Sequence, residues 1–242
     1  MRVLNWLFMI EKTIIEAVIF DIDGTIVDSV DLHARAWQRA FEKFGKKIPL
    51  EAICRQIGKG ADQLLPVFFS KRELEEFGEE MEAYRGELFK KEYLPSVKGF
   101  PKVRELFERI RRDKKRIALA SSAKEDELKR YKEIAQIDDL IEGETSSDDV
   151  ERSKPCPDIF DAALQQLRNV APGKVIVVGD TPYDAEAAAK AHMNSVGLLC
   201  GGWTQPQLSR AGCIAVYRDP ADLLARYEES PLVQLNAQNS SP

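Results

Sequence analysis

The chain has 242 residues, enough for one large domain or for a core with an insert. Hydrophobic residues make up 44% and charged residues 31%, which excludes an intrinsically disordered chain. The formal net charge of −5 argues against nucleic-acid binding driven by bulk electrostatics.

Residues 1–10 are apolar, but a membrane span needs about 20 such residues. Glu11-Lys12 follows where a secretory signal would place small residues. The expectation is an N-terminal extension over 1–10, no membrane association and a cytoplasmic location. Cys54, Cys156, Cys200 and Cys213 form no CxxC pair and no Cys/His cluster, so reduced thiols are expected.

In chain order, residues 17–20 are a short apolar run ending at Asp21. Runs at 117–120 and 175–178 end at Ser121 and at Gly179-Asp180, and 196–199 and 214–217 are further candidates. Continuous apolar runs of this length predict strands buried on both faces, hence a parallel sheet. Helical periodicity fills the gaps at 100–112, 157–167 and 182–191, with Pro182 suited to a first helical turn. Alternating strands and helices predict a doubly wound, mainly parallel α/β sheet.

Residues 30–94 break that rhythm and read as helices only, at 32–44, 51–57, 62–69 and 72–93. The predicted organisation is a core of 11–28 and 99–229 with an all-helical cap subdomain of 29–98 inserted after the first strand. The polar tail, 230–242, is expected to be disordered.

Ligands bind at the carboxyl ends of strands in open α/β sheets. There the sequence places Asp21-Ile22-Asp23-Gly24-Thr25, Ser121-Ser122 and Asp180-Thr181-Pro182-Tyr183-Asp184, with Lys154 before a helix. Clustered carboxylates at a strand end need a counter-charge. A hard divalent cation supplies one, and magnesium prefers few carboxylates plus water and phosphate oxygens. Gly24 permits a tight turn whose N–H groups can receive an anion. Plainer readings stand beside these. Asp21 can cap a turn, Asp184 can be a first-turn acid favoured by the helix dipole, Ser121 can be a helix N-cap, and Lys154 can be a surface lysine.

Taken together, Phe20-Asp21-Ile22-Asp23-Gly24-Thr25, Ser121, Lys154 and Gly179-Asp180-Thr181-Pro182-Tyr183-Asp184 resemble the four motifs of the haloacid-dehalogenase-like superfamily, in its subgroup with a helical cap. Within it the chain looks like phosphoglycolate-phosphatase and β-phosphoglucomutase relatives. The resemblance implies a magnesium-dependent phosphatase, with a small phosphorylated metabolite as partner and a monomer or weak homodimer as its state. It implies that Asp21 is the nucleophile that becomes an aspartyl phosphate and that Asp23 is the general acid and base. Asp21, the Asp23 carbonyl and Asp180 hold Mg2+, and Asp184 supports the metal or orients Lys154. Ser121 and Lys154 bind the phosphoryl oxygens, and Gly24, Thr25, Ser122, His33 and Lys59 are candidate substrate contacts.

Asp23 speaks against dehalogenation, because dehalogenases lack an acid at that position. A sugar phosphomutase is the nearer alternative: His33 sits where the mutases have a histidine, but Ala61 stands where they carry an arginine. Lys59 or Arg55 can take that place. Arg55, Lys59, Lys71 and Arg72 together suggest an anionic or polyhydroxylated ligand. The alternative of another class is a receiver-like phosphoryl-accepting signalling domain, which would lack both the helical insert and Asp23.

Overall fold

The computed structural model describes residues 13–235. Strands β1 (Thr13–Ile14), β2 (Ala17–Phe20) and β3 (Val27–Asp28) open the chain. Helices α1 (Val30–Lys43), α2 (Leu50–Cys54), α3 (Ala61–Phe68) and α4 (Lys71–Leu88) follow, and β4 (Lys98–Gly99) ends the helical insert. Next come α5 (Val103–Arg112), β5 (Arg116–Ala120), α6 (Glu125–Ala135), β6 (Gly143–Thr145) and α7 (Asp158–Gln166). The chain continues through β7 (Val175–Gly179), α8 (Pro182–Lys190), β8 (Asn194–Leu198), α9 (Gln205–Ala211), β9 (Cys213–Tyr217), α10 (Pro220–Ala225) and β10 (Gln234–Leu235).

Six strands pair in parallel in the order β6-β5-β2-β7-β8-β9. From β2 the chain winds outward through β5 to β6, then restarts on the other side at β7. The switch point therefore falls at β2 and β7, where such sheets open a crevice. Phe20 pairs with both Leu119 and Val178, so β2, β5 and β7 end at the same edge.

Side-chain alternation sends Val18 and Phe20 to one face, with Phe107, Leu128 and Val178. It sends Ala17 and Ile19 to the other, with Phe160, Ala163 and Ala187. Both faces are covered, as the unbroken apolar runs require. Each buried Val, Ile or Phe contributes about 1.5–3 kcal/mol relative to exposure.

The helical insert has its own apolar cluster around Trp37, Phe41, Ile53, Leu65, Phe69 and Met81. A capping box of Ser70 and Glu73 starts α4. The helix predicted over 72–93 ends as regular α-helix at Leu88 and continues as a π-helical turn over Phe89–Tyr93. The connections into and out of the insert are hydrogen-bonded to each other. β3 pairs antiparallel with β4, Val27 opposite Gly99 and Asp28 opposite Lys98.

The tail expectation needs correction. Ser230, Leu232 and Leu235 are buried, and β10 pairs antiparallel with β1. Ser230 Oγ donates to the Tyr227 carbonyl at 2.6 Å. Two leucines inside a polar stretch anchor the segment, and average composition hides them. The core thus extends to 235, while 236–242 and the 1–10 extension lie outside the described residues. Among the described residues no helix is long and apolar enough to cross a membrane.

Candidate active site

Asp21 leaves β2 with its N–H donating to the Val178 carbonyl at 2.9 Å. Asp180 leaves β7, and Asp184 lies in the first turn of α8. One carboxylate oxygen from each of the three lies within 4.8 Å of the others, and all three residues are buried. Lys154, with no exposed surface, inserts its ammonium among them. It donates to Asp21 Oδ1 and to the Ala120 carbonyl at 3.2 Å, and lies 2.9 Å from Asp184 Oδ1. The four residues span positions 21 to 184, and the parallel register brings them together.

Neighbours fix each acid. Thr25 Oγ1 donates to Asp180 Oδ1 at 3.0 Å. Thr181 N–H and Oγ1 donate to Asp184 Oδ2 at 3.0 and 2.6 Å, closing a capping box. Asp184 is therefore both the first-turn acid and a member of the cluster. Gly24 adopts φ +84°, and a Cβ there would lie 2.5 Å from Asp180 Oδ2. A Cβ at Gly201 would overlap the same oxygen. Cys200 Sγ donates to the Gly24 carbonyl at 3.1 Å, tying the two glycine loops together.

The electrostatics follow from three acids sharing one cation. Burial pushes the Asp21 carboxyl up to about 7; Lys154 opposes the rise and Asp184 adds to it. Asp180 is raised well above the usual carboxylate range by burial and by Asp21 and Asp184. Burial alone would lower the Lys154 ammonium, but Asp184 and Asp21 outweigh it and raise it. Asp21 Oδ2 and Asp180 Oδ2 are buried with no hydrogen-bond donor among the described residues. Unpaired buried carboxylate oxygens are costly. Hard oxygen donors in glycine-lined space suit a divalent cation such as magnesium.

Asp23 faces the helical insert. Its Oδ1 accepts from Ser29 Oγ at 2.5 Å and lies 2.8 Å from His33 Nε2. Burial would raise its carboxyl, but His33 and Ser29 outweigh that and hold it below the usual range. His33 is buried, stacks on Phe89 at 3.9 Å and lies 2.9 Å from Tyr131 OH. Arg85 donates to its Nδ1 and pairs with the buried Glu127 at 3.7 Å. Arg85, Glu127 and Tyr131 have no sequence signal of their own, since only the fold brings α4 and α6 to α1.

A cavity of about 430 Å³ separates the sheet edge from the insert; Asp21, Asp23, His33, Lys59 and Ser122 are among its lining. Gly24 and Thr25 lie outside that lining, and Thr25 is fully buried beneath it. Ser121 is buried and its Oγ accepts from Ala123 N–H at 3.0 Å, closing a local turn; α6 begins at Glu125 with Lys124 at its N-cap, so Ser121 caps no helix. Of the four basic residues only Lys59 lines the cavity: Lys71 and Arg72 are exposed, and Arg55 lies over Trp203, which corrects their grouping. Helix α4 carries Lys71 and Arg72 at its far N-terminal end.

Comparison with known proteins agrees with this geometry. Residues 18–198 match the family model described as haloacid dehalogenase-like hydrolase. A phosphorylated carbohydrates phosphatase of Thermotoga maritima is 29% identical over 86% of this chain and 96% of its own. The crystal structure of a hydrolase from Pseudomonas syringae superposes with a TM-score of 0.78 at 29% identity, covering 88% of this chain and 98% of that one. A Thermotoga maritima structure described provisionally as a β-phosphoglucomutase gives 0.66 at 28% identity, over 89% and 99%.

The chain belongs to the haloacid dehalogenase-like hydrolase family. Within that family it is an enzyme of the phosphatase kind, a hydrolase of phosphoric monoesters.

Proposed function

We propose that the chain is a magnesium-dependent phosphatase that cleaves small phosphate monoesters through an aspartyl phosphate on Asp21. The observation that carries this reading is the convergence of Asp21, Asp180 and Asp184 on the buried Lys154 ammonium. Asp21 Oδ1 is engaged by Lys154 while Oδ2 meets no donor, which leaves a carboxylate oxygen available for attack. Asp21 attacks phosphorus and the substrate alcohol leaves, which divides one difficult displacement into two easier ones. Asp23 gives the leaving oxygen its proton and then takes one from the water that opens the acyl phosphate. His33 and Ser29 hold Asp23 ionised, which suits the second step. For the first it must carry a proton, which it can take up once its carboxyl turns from His33 and Ser29 toward the substrate.

Lys154 offsets the anionic charge that accumulates as phosphate meets carboxylate. Asp21, Asp180 and the Asp23 carbonyl would hold magnesium, with Asp184 beside them; the ion supplies further neutralisation of the phosphoryl oxygens. Family membership and the helical insert leave the receiver-like signalling reading without support.

The Thermotoga relative's name supports phosphorylated carbohydrates as the first compounds to test. A sugar phosphomutase is the second reading. It is favoured by His33 seated against Asp23 and by Lys59, a cavity cation with no carboxylate within ion-pair distance among the described residues. The test is a panel of phosphorylated metabolites assayed for released phosphate, with β-glucose 1-phosphate isomerisation alongside. Phosphate release by wild type and none by a folded Asp21→Asn supports hydrolysis at Asp21. Isomerisation outpacing release establishes the mutase, and wild-type turnover by Asp21→Asn removes Asp21 as nucleophile.

A further inference from the structure

The loop between α2 and α3 touches the core through side chains outside the acid cluster. Tyr183 OH donates to the Arg55 carbonyl at 2.6 Å. The Arg55 guanidinium lies 4.9 Å from the Trp203 ring centre, and Lys59 Nζ lies 4.5 Å from that of Tyr183. The Tyr183 and Trp203 rings meet edge to face at 6.0 Å and 84°. An aromatic pair on the core thus receives two cations and one carbonyl from a single loop of the insert.

These rings are mounted on the segments that shape the acid cluster. Tyr183 lies between Thr181 and Asp184, the two partners of the capping box. Trp203 follows Gly201, whose backbone abuts Asp180. On the other side, the loop's Gly58 carbonyl and the Asp62 side chain in the first turn of α3 accept hydrogen bonds from the core. Ser122 Oγ donates to the Gly58 carbonyl at 3.3 Å, and Ser153 N–H donates to Asp62 Oδ2 at 3.1 Å. Gly58 adopts φ +102°, and a Cβ there would stand 2.7 Å from Thr181 Cγ2, so only glycine permits this approach.

We infer that Tyr183 and Trp203 are positioning residues forming an aromatic latch, which seats the 55–60 loop over the acid cluster by gripping Arg55 and Lys59. The inference rests on the phosphatase reading for its effect on turnover, but not for the latch itself. The latch acts on the insert rather than on phosphorus. Losing it leaves the acids and Lys154 in place and lowers the fraction of protein with the loop seated.

Two measurements test it. The first needs no catalysis: acrylamide quenching of Trp203 emission, taken as the difference between a protein and the same protein carrying Trp203→Phe. Arg55 covers the indole, so Arg55→Ala is expected to raise the quenching of Trp203; unchanged quenching overturns the latch. The second is a double-mutant cycle on kcat/KM with a sugar phosphate. Arg55→Ala and Trp203→Ala should each lower kcat/KM about fivefold, the size of one cation–π contact. The double variant should fall no further, and Trp203→Phe, which keeps an aromatic face, should recover most of the loss. Multiplying losses, or no recovery by phenylalanine, would reduce Trp203 to local packing and overturn the inference. If wild type releases phosphate from no monoester, the phosphatase reading fails, and the quenching experiment still decides the latch.

Discussion

The Lys154 ammonium lies 2.9 Å from Asp184 Oδ1 while donating to Asp21 Oδ1, and neither Lys154 nor its two partners reaches appreciable solvent. A single lysine thus serves two carboxylates. Removing its charge leaves both acids buried without it. Lys154→Met is expected to lose activity and about 3 kcal/mol of stability, the usual consequence of breaking a buried ion pair from one side. Chemical denaturation and phosphate release measure the two losses. A variant with wild-type stability would show that the acids take up protons when the lysine is gone.

Asp180 presents a buried oxygen with no donor beside the Asp21 carboxylate. Magnesium that binds there stabilises the native state alone, by about 2.7 kcal/mol at a hundredfold excess over its Kd. The melting temperature of EDTA-treated protein should rise on adding magnesium, and phosphate release should appear with it. Asp180→Asn should abolish both responses. Full activity in EDTA would remove the metal from the mechanism.

Gly201 has no apparent role in the sequence, yet any side chain there would overlap Asp180 Oδ2. Gly201→Ala should displace that buried carboxylate, weaken the magnesium-induced rise in melting temperature and cost about 1–3 kcal/mol of metal-free stability. Alanine at Gly202 is the control for the loop, since nothing lies near its α-carbon on the side-chain face. Gly202 has φ +91°, so the control is expected to cost about 1 kcal/mol in stability without altering the magnesium response.

Metal-free protein should also show the strain of the cluster in its pH dependence. Burial raises the Asp21 carboxyl from 3.8 to about 7, so the folded state keeps this proton longer than the unfolded chain does. The contribution of that proton is fully present below about pH 4 and is lost as the pH rises through about 7. In EDTA, Asp21→Asn should therefore flatten the decline in stability across this window. An unchanged slope would mean that Asp21 titrates as it does in the unfolded chain.

Asp23 is held by Ser29 and His33 and not by the acid cluster. Asp23→Asn should lower kcat by about 10²–10⁴-fold, the range of general acid–base catalysis, with magnesium binding retained. His33→Ala should leave the magnesium response intact and shift the pH profile of kcat/KM upward, because Asp23 loses a group that stabilises its charge. Identical profiles for wild type and His33→Ala would separate the histidine from proton transfer.

The parts of the site that lie at strand ends were legible because β2, β5 and β7 are buried on both faces and announce themselves as unbroken apolar runs. Their terminal polar residues then fall at one edge by topology alone. Strand β6 was invisible for the opposite reason: Gly143-Glu144-Thr145 contains no apolar run, since an edge strand of three residues needs none. Roles set by side-chain direction were also hidden. The resemblance implies that His33 and Thr25 meet a substrate; His33 lies against Asp23 while lining the cavity, and Thr25 donates to Asp180 away from that lining. Asp184 shows that a capping residue and a member of the acid cluster can be the same side chain, so the plain and functional readings of such a position do not compete.

The paired strands β3 and β4 have a consequence for how this molecule can vary. Asp28 and Lys98 face each other across an antiparallel ladder, so the entire helical lobe is, topologically, the loop of a β-hairpin. Lengthening a flexible loop costs only about 0.6 kcal/mol per doubling. The sheet therefore places little restraint on what is grafted between those two residues, from a tight turn to a larger domain. Selectivity can be remade there while the rim that holds the carboxylates remains as it is.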